Sequence, residues 1–136
     1  MSLVLDASLT LSWYFEDEQT PVGEAVMDRV AMEGAFVPSL WRYEVANGFL
    51  RAIRRKRIFA AYRDASLAEL RHLPITIDRI GDDMTWTATL ALADRFQLSI
   101  YDAAYLELAK RRGLPLATGD QALGAAAQTL ELTVLG

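Results

Sequence analysis

Short apolar runs alternate with helical stretches along this whole chain, and that alternation constrains its fold more than any other feature. "SLVLD" (2–6), "AFVPSL" (35–40), "LPLAT" (114–118) and "LTVL" (132–135) have the length and apolar character of buried strands. "ITI" (75–77), just past Pro74, is a candidate for one more. Between them lie helical patterns. Residues 7–15 carry Leu11, Tyr14 and Phe15 at helical spacing. Thr20 as N-cap, Pro21 at the first position and Gly34 as the stop delimit another helix. In 39–57, Trp41, Val45, Phe49 and Ile53 repeat every four residues as a buried stripe. Residues 59–73 place Tyr62, Leu67 and Leu70 inward and stop at Pro74. Residues 82–97 are helical with Asp82 or Asp83 near the start; 99–113 is closed by Gly113; 120–128 is short. Such alternation gives an α/β sandwich around a mainly parallel sheet. The 136 residues fit one domain spanning 1–136.

Composition removes several classes of function. The chain has no cysteine, which rules out disulfides, thiolate nucleophiles and Cys-based zinc sites. His72 is the one histidine and no G-x-S-x-G is present, so triad hydrolysis has little support. P-loop and dinucleotide glycine motifs are absent as well. No run approaches the ~20 apolar residues of a membrane span. "MSLVLDASLT" has no basic leader and is interrupted by Asp6, so a cytoplasmic protein is expected. The net charge of −4 argues against a uniformly basic surface.

Four acids remain to be weighed. Asp6 and Asp120 fall at strand ends, Asp102 at a helix start and Glu44 beside an apolar stripe. Each has an ordinary reading. Asp6 and Asp120 suit helix caps, Ser99 and Asp102 form an S-x-x-D capping pattern, and Glu44 suits a helix surface. In a parallel α/β fold, however, strand ends and helix starts share one edge, the edge that builds ligand sites. Converging carboxylates ~5 Å apart would repel by about 3 kcal/mol per pair at an effective dielectric near 20. A cap returns only ~1 kcal/mol. A bound cation is the natural compensation, and oxygen-only donors suit Mg²⁺ or Mn²⁺. Phosphodiester hydrolysis is the chemistry this implies.

The ordered set "LVLDAS", "WRYEVAN" and "LSIYDAAYLELAKRRGLPLATGD" resembles a PIN domain, and within that family the VapC-type toxins of toxin–antitoxin pairs. The resemblance covers essentially the whole chain. It implies a three-layer sandwich with four to five short strands flanked by helices. It also implies a Mg²⁺- or Mn²⁺-dependent ribonuclease that cuts RNA such as tRNA or rRNA, forms homodimers and is silenced by a VapB-type antitoxin. By the same resemblance, Asp6, Glu44, Asp102 and Asp120 are the catalytic acids. Asp6, Asp102 and Asp120 hold metal directly or through water, while Glu44 orients or deprotonates water or ligates a second ion. Ser8 and Thr118 match supporting hydroxyls. Ala7 departs from the Thr or Ser of many relatives.

Arg51, Arg54, Arg55, Lys56 and Arg57 are either contacts for RNA phosphates or a solvated helix end, and Arg111 and Arg112 pose the same choice. Trp13, Trp41 and Trp86 sit in apolar helical contexts that suit core or interface, and Trp13, Tyr14 and Phe15 suit core packing or a partner groove. Three rival readings differ in what they require. A haloacid-dehalogenase-type phosphatase needs a second Asp where Ser8 stands. A phospho-receiver needs a Lys after its last strand, yet Lys56 and Lys110 lie on helices. An inactive PIN-like interaction module would have lost an acid.

Overall fold

The computed structural model describes residues 1–136. Five parallel strands form one sheet in the order β3-β2-β1-β4-β5: β1 Leu3–Leu5, β2 Ala35–Pro38, β3 Ile75–Asp78, β4 Leu116–Ala117 and β5 Val134–Leu135. Seven α-helices flank it: α1 Ala7–Ser12, α2 Pro21–Glu33, α3 Trp41–Arg54, α4 Ala60–Leu70, α5 Leu90–Phe96, α6 Ile100–Arg112 and α7 Gln121–Thr129. All the expected strands are present, including the candidate at 75–77, which gains Asp78.

β1 is central. Leu3, Val4 and Leu5 are fully buried, as a strand covered on both faces must be. Its last residue leads into Asp6, whose N–H bonds Ala117 O at 3.1 Å. The α3 stripe holds through Trp41, Val45 and Phe49 but closes on Ala52, with Ile53 only partly buried. Trp41 also donates from Nε1 to Thr10 Oγ1 at 3.1 Å, tying α3 to α1 inside the core.

Several expectations change. The first helix stops at Ser12, and a 3₁₀ turn follows at Glu16–Glu18. Trp13, Tyr14 and Phe15 are nevertheless buried, with the Tyr14 and Phe15 rings each packed on Phe49 of α3 at 5.8 Å. Tyr62 is half-exposed, not inward, though its hydroxyl donates to Tyr14 O at 2.6 Å. Residues 82–97 do not make one helix. A 3₁₀ segment Ile80–Met84 and a π segment Thr85–Thr89 precede α5, and the wider π turn swings Trp86 outward to 88% exposure. Trp13 and Trp41 are in the core, but Trp86 is not.

Candidate active site

Three parallel strands deliver their carboxyl ends to one edge. Asp6 follows β1 and caps α1, its Oδ1 accepting the Leu9 N–H at 2.8 Å. Glu44 lies in the first turn of α3, after β2. Asp120 follows β4 and caps α7, accepting the Leu123 N–H at 2.8 Å. α6 runs back toward the start of β4, so Asp102 in its first turn reaches the same edge. There Ser99 Oγ accepts the Asp102 N–H at 3.1 Å. The ordinary capping roles are therefore real for Asp6 and Asp120, and they coexist with convergence.

Two hydroxyls hold the acids: one links Asp6 to Asp120, the other anchors Glu44. Thr118, 2% exposed, donates from Oγ1 to Asp6 Oδ2 and accepts the Asp120 N–H at 3.0 Å. Tyr105, one turn along α6 from Asp102, donates its buried hydroxyl to Glu44 Oε1 at 2.6 Å. Ser8 Oγ lies 3.1 Å from both Asp6 oxygens. The hydroxyls of Ser8 and Thr118 thus both touch Asp6. Tyr105 escapes a sequence reading, since within "YDAAYLELA" it reads as a core aromatic.

The electrostatics join all four acids. Burial raises the Asp6 pKa from 3.8 to about 6, despite hydrogen bonds from Thr118, Leu9 and Ser8, and the Asp102 charge adds to the rise. Burial likewise raises Glu44, outweighing the Tyr105 hydrogen bond, with the Asp102 charge adding. Asp102 is raised by burial and by the Asp120 charge. None of the four makes an ion pair with a protein cation. This edge of the sheet carries an uncompensated negative cluster of hard oxygen donors. No three of its carboxylates are placed to hold one ion together. Mg²⁺ retains several waters and commonly binds through one or two carboxylates, so the donor set fits an ion held partly through water.

The cations divide into two groups. Arg57 pairs with Asp17 at 2.7 Å and Glu18 at 3.1 Å and stacks over Phe15. Arg51, Arg54, Arg55 and Lys56 are exposed and make no ion pair, but they occupy the last turn of α3 and the turn after it, where Lys56 lies outside the helix expected for it. From Glu44 to Arg54 is ten residues, about 15 Å along the helix axis. Arg111 and Arg112 are committed elsewhere. Arg111 pairs with Asp78 at 2.6 Å and Glu107 at 2.8 Å, and Arg112 with Asp78 at 3.0 Å while lying over Phe36. Burial disfavours the Asp78 charge, yet hydrogen bonds from Arg111, the Gly81 N–H and Arg112 outweigh it and hold its pKa low. Sequence reasoning missed this network because Glu107 sits inside an apolar helical run. Asp78 directly after "ITI" was the available signal.

The family model described as PIN domain matches residues 3–128. The chain belongs to the PIN domain family. Among curated relatives, Ribonuclease VapC3 of Mycobacterium tuberculosis is 34% identical over 102 residues, covering 75% of this chain and 72% of that one. VapC ribonuclease Mb0985 of Mycobacterium bovis is 31% identical over 120 residues, covering 87% and 85%. Two crystal structures share the PIN fold. PAE2754 from Pyrobaculum aerophilum has a TM-score of 0.68 at 23% identity, covering 96% of this chain and 92% of that one. FitAcB from Neisseria gonorrhoeae has a TM-score of 0.66 at 16% identity, covering 100% and 97%. The five-stranded parallel sheet with flanking helices is the PIN architecture.

Proposed function

We propose that this chain is a Mg²⁺- or Mn²⁺-dependent endoribonuclease and the toxin of a toxin–antitoxin pair, silenced by a VapB-type antitoxin and acting as a homodimer in the cytoplasm. One observation carries the reading: four electrostatically coupled carboxylates gather at the carboxyl edge of the sheet with no protein cation to balance them. The curated relatives named as VapC ribonucleases support RNA as the substrate. They favour neither a phosphatase nor an inactive module, and all four acids are present.

Asp6, Asp102 and Asp120 would hold the divalent ion between them, at least one of the three through water. When bound, such an ion supplies a contact to a phosphate oxygen and a lowered pKa for attacking water. Thr118 and Ser8 fix the orientation of the Asp6 carboxylate. Glu44, anchored by Tyr105 and made more basic by burial, orients the attacking water and takes its proton. The exposed Arg51, Arg54, Arg55 and Lys56 contribute phosphate contacts away from the scissile bond.

The test is cleavage of RNA by purified protein with Mn²⁺ or Mg²⁺. EDTA abolishes it, and Glu44→Gln lowers it by about 100-fold or more. Cleavage that survives both EDTA and Asp6→Asn refutes the mechanism. Expression without an antitoxin arrests growth, and the Asp102→Asn form does not.

A further inference from the structure

Two tyrosines that adjoin the acids in sequence are largely exposed. Tyr43 is 80% exposed and Tyr101 58%. Each immediately precedes an acid, Glu44 and Asp102 respectively, and both line one cavity of about 290 Å³ between the start of α3, the 3₁₀–π segment and α6. That volume is at the small end for ligand pockets and suits a single ring system. Leu40 and Ile100 give part of the lining an apolar character.

Charge narrows the occupant. None of the 14 lining residues is Lys, Arg or His, so the cavity does not suit a phosphate. Of its carboxylates, Asp78 and Glu107 are already neutralised by Arg111. Asp82 is different. It accepts one hydroxyl, from Ser39 at 3.0 Å, and keeps free acceptor capacity. A flat ring with amino donors on its edge satisfies both features, because unpaired bases stack on aromatic side chains and carboxylates accept from base amino groups.

We infer that this cavity seats one unpaired RNA base beside the scissile phosphate, stacked on Tyr43 and Tyr101 and recognised by Asp82 through its amino group. The inference rests on the nuclease reading above and deepens it, making these three residues determinants of RNA specificity.

The experiment uses labelled single-stranded hexaribonucleotides that vary adenine, cytosine, guanine or uracil at one position. Binding is read by fluorescence anisotropy in EDTA, and kcat/KM with Mn²⁺. Tyr43→Ala and Tyr101→Ala each weaken binding and lower kcat/KM by about 5- to 150-fold, the usual worth of one stacked base. Tyr101→Phe recovers most of that loss. Asp82→Asn narrows discrimination between the amino-bearing bases and uracil. Wild type that cuts RNA while both alanine variants stay within twofold of it overturns the base site and leaves the nuclease standing. Wild type that neither binds nor cuts RNA overturns both. Tyrosine resonances that respond to arginine methyl ester but not to nucleoside monophosphates also overturn the base site, in favour of a protein side chain.

Discussion

Replacing Asp6 with Asn is expected to stabilise the metal-free protein near neutral pH, although it destroys the site. Asp6 is 4% exposed, and its folded pKa lies at about 6 against an ordinary 3.8. A folded value above the unfolded one means the native state holds its proton more tightly. Asp6 therefore contributes stability in full below about pH 4, and that contribution is lost as pH rises through 6. The displacement corresponds to about 3 kcal/mol between those limits. Asn caps a helix as well as Asp does, so the Leu9 hydrogen bond survives. Its amide nitrogen must then face Ser8 or Thr118, with a penalty of about 1 kcal/mol. The net gain at pH 7.5 is about 2 kcal/mol, and at pH 4 the variant is equal to wild type or weaker. Urea unfolding in EDTA at pH 4, 5, 6, 7 and 8 measures it, and the difference between the two curves isolates Asp6 from the other titrating groups. Wild-type and variant stabilities that run parallel across this range would refute the argument from burial. Adding Mg²⁺ at pH 7.5 should raise the wild-type Tm and leave the variant unmoved.

Arg111→Met leaves Glu107 unpaired and Asp78 with Arg112 alone, and should destabilise by about 3 kcal/mol in urea unfolding, since removing one partner of a largely buried ion pair strands the other. Gly48→Ala would place a Cβ 2.3 Å from Leu11 Cδ1 where α3 crosses α1, and should lower stability by about 1–3 kcal/mol through overpacking. Tyr105→Phe removes the donor to Glu44, which raises the Glu44 pKa further; the acid limb of the kcat pH profile should move to higher pH.

Much of this fold is legible in the sequence because buried parallel strands leave continuous apolar runs and helices leave four-residue stripes. Leu3–Leu5 and the Trp41–Val45–Phe49 series are read directly. The acids are legible by order, since strand ends in a parallel sheet share an edge whatever the loop lengths. Tertiary choices are less so. Tyr14 and Phe15 fit a continuing helix equally well, and only their packing on Phe49, a tertiary contact, accompanies the stop of α1 at Ser12. Trp86 has the composition of a core residue and is exposed because a π turn rotates it outward. Arg111 and Arg112 read as solvated helix-end charges until Asp78 and Glu107 are placed beside them.

The strand order has a further consequence for when the pocket can exist. β1 occupies the middle of the sheet, but its neighbour β4 comes from the last fifth of the chain, and Thr118 meets Asp6 across 112 positions. Contacts of such long sequence separation close late. A nascent or prematurely ended polypeptide therefore holds Asp6 and Glu44 without Thr118 or Asp120. Chains not yet extended through β4 would lack the assembled acid cluster, and with it any activity that depends on it.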